Sequence, residues 1–129
     1  MKFSGRSIYP GIIEGECLVS KMGISFFGGV DPETGIIVEN GHDLEGQSIS
    51  GKILVFPAGK GSTVGSYTLY RLKYNQLAPI GIINIECETI TAVGCIISEI
   101  PCVDQINITE IKSGSMISLD GEKGIVEIL

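Results

Sequence analysis

Tryptophan is absent from this 129-residue chain, and histidine occurs once, as His42. Basic residues are scarce: 9 Lys and Arg stand against 15 Asp and Glu, for a net charge of −6. No Lys or Arg stripe is available to neutralise phosphates, which argues against a nucleic-acid partner. Charged residues of both signs make up only 19% of the chain, few for a surface that is all solvated, and this leaves room for a protein interface. No apolar run approaches the roughly 20 residues needed to span a bilayer. Met1–Arg6 is not followed by an apolar signal core. A cytoplasmic protein with no membrane association is therefore expected. Repeats, low-complexity tracts and linkers are also missing, so a single domain over residues 1–129 is expected.

Cysteine is present but forms no signature. Cys17, Cys87, Cys95 and Cys102 include no CxxC pair and no zinc or iron–sulfur spacing. They read as thiols packed like small hydrophobes, with no metal or cofactor bound by this chain. Asn107-Ile108-Thr109 is a glycosylation sequon only in a secreted protein.

Glycine is abundant, 18 residues, and sits at turns rather than in a repeat, as in a chain of many short strands. Ile8-Tyr9 and Ile12–Val19 flank Pro10-Gly11 and read as a hairpin-like pair. Phe26 and Phe27 precede the Gly28-Gly29 hinge. In a strand the two rings would point to opposite faces, so either one faces a ligand or partner, or the strand lies between two packed layers. Ile36–Glu39 reads as a short strand and Asn40–Asp43 as a turn. Gly46–Phe56 alternates and then becomes continuously apolar, as in a strand passing from a half-exposed to a buried position.

The rest of the chain is organised around Lys52–Tyr74. The apolar run Ile53–Phe56 leads through Pro57 into Gly59-Lys60-Gly61-Ser62-Thr63, and a helix follows over about 62–74. With the buried strand around Ile80–Ile85 this makes a βαβ unit around the 59–63 loop. A helix over 88–98 stops before Pro101, and Cys102-Val103 begins another strand. Met116–Leu129 forms two alternating runs about a turn. The fold class is mixed α/β, mostly β.

The glycine-rich loop is not a P-loop, because Gly61 separates Lys60 from Ser62; nor is it a dinucleotide fingerprint. What remains is a set of backbone donors at a helix N-terminus with Lys60, Ser62 and Thr63, suited to a phosphate or carboxylate. Ser62 also reads as a plain helix cap, the reading that composition alone favours. His42 reads as solvated turn surface. Tyr67, Tyr70 and Tyr74 share one helix face and read as core or interface.

One long composite pattern goes further: Gly23–Gly35, His42, Gly46–Phe56 and Gly59–Tyr67, continued through Ala78-Pro79 and Ala92–Pro101. It resembles the small subunit of the aconitase X family. The resemblance implies the swivelling β/β/α domain of aconitases, paired as a heterodimer with a larger subunit. That subunit would carry an iron–sulfur cluster, expected to be 4Fe–4S, whose open iron acts as a Lewis acid. The implied reaction is loss of water from (R)-5-phosphomevalonate to give trans-anhydromevalonate 5-phosphate, in an archaeal route to isoprenoids. Ser62 would be the base. Gly59, Lys60, Gly61, Thr63, Gly28 and Gly29 would bind the small phosphorylated hydroxy acid. Two other readings stay open: an aconitase X dehydratase of another hydroxy acid, such as a hydroxyproline, and a noncatalytic interaction or lid domain. A phosphohistidine carrier using His42 lacks support from its turn.

Overall fold

The computed structural model describes residues 1–129. Four parallel strands form its centre: β3 (Ile12–Val19), β4 (Ile53–Phe56), β5 (Gly81–Asn84) and β6 (Cys102–Asp104). Antiparallel strands extend both sides. β7 (Met116–Asp120) pairs with β3, β8 (Ile125–Ile128) with β7, and β1 (Lys2–Ser4) with β8; β2 (Arg6–Tyr9) pairs with β6. The order is β1-β8-β7-β3-β4-β5-β6-β2. Its two outermost strands are consecutive in the chain and joined by Gly5 alone, so the sheet nearly closes on itself. Only glycine fits there: a Cβ on Gly5 would lie 2.0 Å from the Asp104 carbonyl oxygen.

Side chains alternate across β4 into two cores. Ile53 and Val55 join Cys17, Ile83, Val103, Ile117 and Val126 in the inner cluster. Leu54 and Phe56 join Leu69, Leu72, Ile82 and Ile100 under the helices. Burial on both faces explains why β4 is continuously apolar. The helices α2 (Gly65–Tyr74) and α3 (Thr89–Ser98) pack closely because Gly94 has no side chain; a Cβ there would meet Leu69 Cδ1 at 2.5 Å. Strand, helix and parallel strand form the expected βαβ unit.

Four expectations are corrected. β2 and β3 do not form a hairpin with each other; they pair with different strands on different sides of the sheet. Tight hairpin turns need a positive φ at the first turn residue, and Pro10 forbids it. Ile36–Glu39 is not a strand. It makes only isolated bridges, Ile36 to Ser48 and Val30 to Ile37, before the chain turns at Gly41 (φ +80°). Residues 46–52 are turns and irregular backbone around the single bridge at Ser48, with Gly46 and Gly51 at positive φ, and the strand begins only at Ile53. The helix after the loop begins at Gly65 rather than 62.

The Phe pair lies in α1 (Phe26–Gly29), a single distorted helical turn. Phe26 is buried and meets Phe56 edge-on, centroids 5.9 Å apart. Phe27 has extended dihedrals and Gly28 has φ +84°, and this reversal leaves the Phe27 ring 53% exposed.

Candidate functional site

The site lies beyond the carboxyl end of β4, where open α/β sheets bind ligands. After Phe56 the chain runs alongside the Ile24 segment: Ile24 N–H donates to Ala58 O (3.2 Å) and Lys60 N–H to Ile24 O (3.0 Å). Asn84, buried at the end of β5, donates to the Phe56 carbonyl oxygen (2.9 Å). These bonds fix the base of the loop.

Gly59 lies against the start of α3. A Cβ on it would fall 2.3 Å from both Glu88 Oε1 and Thr91 Oγ1. Glu88 caps α3, accepting from Ile90 N–H (2.7 Å) and Thr91 N–H (3.0 Å). Gly61 has φ +88°, and a Cβ there would meet Ser25 Oγ at 2.5 Å. The loop then turns so that the N–H groups of Gly61, Ser62 and Thr63 have no acceptor within the chain. Three successive free donors just ahead of a helix are the kind of groups that bind an anion. Ser62 is exposed, and its Oγ accepts from Val64 N–H (3.2 Å). The hydroxyl thus closes a small turn ahead of α2 and remains open to solvent.

A bowl of about 340 Å³ is lined by Ser25, Gly28, Gly29, Glu39, Lys60 and Gly61, with no apolar side chain. Lys60 Nζ is 2.9 Å from Glu39 Oε2. Four of the residues singled out in the sequence, Gly28, Gly29, Lys60 and Gly61, therefore meet in one place although they come from two segments well apart in the chain. Ser62 follows Gly61 in the chain and is not among the lining residues. Gly59 and Thr63 do not line the bowl. Gly59 is turned to α3, and Thr63 borders a separate groove with Val64, Tyr67, Ile90, Val93 and Ile97. Ser25 and Glu39 escaped the sequence reading, because nothing local marks a serine before an aromatic pair or a glutamate before a turn.

His42 is corrected: it is buried, at 5% exposure. Its Nδ1 accepts from Leu44 N–H (3.0 Å), so Nε2 carries the proton and donates to Gly23 O (3.0 Å). With Nδ1 so occupied, the nearby Asp43 Oδ1 (3.1 Å) is a neighbour of a neutral ring rather than an ion-pair partner. His42 thereby ties its turn to Gly23, beside the Lys60 side chain. The tyrosines are corrected in part: Tyr67, Tyr70 and Tyr74 are all more than half exposed and belong to no core.

All four thiols are free and buried. Cys87 and Cys102 have sulfurs 3.9 Å apart. The adjacent Cys102 thiol and burial push the Cys87 ionisation far up, and burial raises that of Cys17. Cys17 belongs to the inner core while Cys87, Cys95 and Cys102 lie under the helices. No group of three or more His, Cys, Asp or Glu is arranged to hold a metal ion. Buried and split between two cores, these thiols do not fit an iron–sulfur cluster.

The fold and this loop place the chain in a defined class. The family model of the aconitase X swivel domain matches residues 2–128, and the chain belongs to that family. It is 56% identical over 129 residues to the phosphomevalonate dehydratase small subunit of Thermococcus kodakarensis, covering 100% of this chain and 97% of that one. The protein of the same name from Methanosarcina mazei is 54% identical, with 100% and 92% covered. Among solved structures, the crystal structure of Thermococcus kodakaraensis aconitase X (holo-form) superposes with a TM-score of 0.99 at 55% identity, covering 100% of this chain and 98% of that one. The solution NMR structure of a UPF0107 protein gives a TM-score of 0.91 at 47% identity, with 100% and 99% covered. No helix of the structure is long and apolar enough to cross a membrane.

Proposed function

We propose that this chain is the small, swivelling subunit of a phosphomevalonate dehydratase. It works as a single domain over residues 1–129, in the cytoplasm, as a heterodimer with a larger subunit. The observation that carries the reading is the loop geometry: an exposed Ser62 hydroxyl, three free backbone donors and Lys60 beside an all-polar bowl. It occurs on a chain more than half identical, end to end, to subunits of that name. The iron–sulfur cluster, of 4Fe–4S type, is assigned to the larger subunit, since the thiols here do not fit one.

The substrate, (R)-5-phosphomevalonate, is a β-hydroxy acid. Its dehydration removes a proton from the carbon beside the carboxylate and expels the tertiary hydroxyl, which leaves with a proton as water. Ser62 is the base that takes the carbon-bound proton. A serine alkoxide is strongly basic and hard to form. Here the Val64 N–H already donates to Oγ, α2 begins at Gly65 and Lys60 stands two residues earlier in the chain; a donor, a positive helix end and a cation on the same loop favour the anion in a closed, dry site. Gly28 and Gly29 allow backbone to approach the substrate closely. Lys60 and the free N–H groups of Gly61, Ser62 and Thr63 hold its anionic groups.

The test is dehydration of (R)-5-phosphomevalonate by this chain co-expressed anaerobically with its larger subunit, each subunit alone serving as control. Turnover by the pair and by neither part is expected. A fully assembled, cluster-loaded pair that leaves the substrate intact would remove the assignment.

A further inference from the structure

Glu39 puts a second charge into a bowl that otherwise reads as an anion site. Its backbone is tied down on both sides: Val38 N–H and Glu39 N–H donate to Gly29 O (2.9 and 3.3 Å), and His42 N–H donates to Glu39 O (3.2 Å). Its carboxylate lies against the glycine floor, where a Cβ on Gly29 would come within 3.2 Å of Oε1. From there Oε2 reaches Lys60 Nζ at 2.9 Å. The side chains are 26% and 48% exposed for Glu39 and Lys60, so the anchored partner is the carboxylate and the freer one is the lysine.

A lysine side chain has four rotatable bonds, and ordering it on a ligand costs binding free energy. An ammonium has three N–H donors. One is spent on Glu39, which fixes the direction of the other two. We propose that Glu39 is a positioning residue: it holds Lys60 over the glycine floor so that the ammonium and the free N–H groups of Gly61 and Ser62 meet a phosphate together. This rests on reading the Lys60 loop as the substrate site. Glu39 touches no reacting atom, and its negative charge is tolerated because the bond geometry it gives Lys60 outweighs the repulsion of a partly hydrated carboxylate.

Two variants separate positioning from charge. Glu39→Gln keeps an acceptor for Lys60 and removes the charge; Glu39→Ala removes both. The full-length chain is titrated with inorganic phosphate while the amide resonances of Gly28, Gly61 and Ser62 are followed. Phosphate is expected to move these resonances in the native chain. Glu39→Gln should bind within about twofold of native or tighter, Glu39→Ala on the order of tenfold more weakly, and Lys60→Met should lose the response. Tighter binding by Glu39→Ala would make the carboxylate a competitor and overturn the proposal. Equal weakening by both variants, or no response in the native chain, would overturn it too. In the assembled enzyme the same order should appear in KM for Glu39→Gln and Glu39→Ala. Because the titration needs no turnover, the outcomes divide cleanly. A phosphate site sensitive to Glu39→Ala in an enzyme inactive on phosphomevalonate would sink the substrate assignment alone. An active enzyme indifferent to Glu39→Ala would sink the role of Glu39 alone.

Discussion

At Ser62 an observed structural role and a proposed chemical role fall on one atom. Oγ accepts from Val64 N–H and so supports the turn before α2. The same contact would stabilise Oγ as an anion. Ser62→Ala separates the two because they act on different quantities. Losing the turn bond costs about 0.5–2 kcal/mol of stability, the range for cap removal. Losing a general base costs about 10²–10⁴ in kcat. The expected outcome is an assembled enzyme with a melting temperature within a few degrees of native and kcat down by at least about a hundredfold. A variant that keeps full turnover and loses only stability would make Ser62 a cap and return the chain to the noncatalytic reading. Glycines around it are fixed by packing rather than chemistry: Gly59 is pinned by Glu88 and Thr91, and Gly61 by Ser25.

Among the elements, β4 was readable because both its faces are buried, so its sequence is unbroken Ile53-Leu54-Val55-Phe56. The α3 helix was readable from the helical spacing of Ile90, Val93, Ile96 and Ile97, although Val93, Ile96 and Ile97 face out while Thr91, Gly94 and Cys95 turn inward. The Ile8–Val19 pair misled because apolar runs about a Pro-Gly turn look alike whether the strands meet each other or part; the partners, β6 and β7, lie a hundred residues away. The bowl was half legible. Its glycines and Lys60 carry local signals, but Glu39 reaches Lys60 from across a fold whose turns only the structure supplies. The buried thiols of β3 and of the β5–β6 region lead to a pH prediction. In the unfolded chain they ionise near ~8.5. In the native chain Cys17 and Cys87 ionise higher. Above that pH the unfolded state therefore binds fewer protons than the native state, and stability falls as pH rises. The urea midpoint should drop between pH 8 and 9.5, and Cys17→Ala and Cys87→Ala should each drop less over that interval. An equal drop in the variants would locate the alkaline loss in other groups.

On the scale of the whole molecule, low charge and exposed apolar surface belong together. The outward side chains of the two helices include Val64, Tyr67, Tyr70, Tyr74, Val93, Ile96 and Ile97, all at least 40% exposed, and Phe27 adds a ring beside them. Val64 and Tyr67 border both the groove that holds Phe27, Val38 and Arg71 and the groove that holds Ile90, Val93 and Ile97. The ridge they form begins two residues after Ser62. If a larger subunit brings substrate to Ser62 along this ridge, the ridge becomes buried in the assembled enzyme. A tyrosine at such a centre is the kind of residue that dominates an interface. Tyr67→Glu should weaken association of the two subunits by at least about tenfold, with folding intact. Ile12→Glu is the matched control: Ile12 is 66% exposed but starts β3, at the end of the parallel sheet opposite the loop. Co-purification should fail for the first and succeed for the second. If both variants assemble normally and turn over substrate, the larger subunit reaches Ser62 over the Gly28-Gly29 side of the bowl, and the tyrosine ridge stays in solvent.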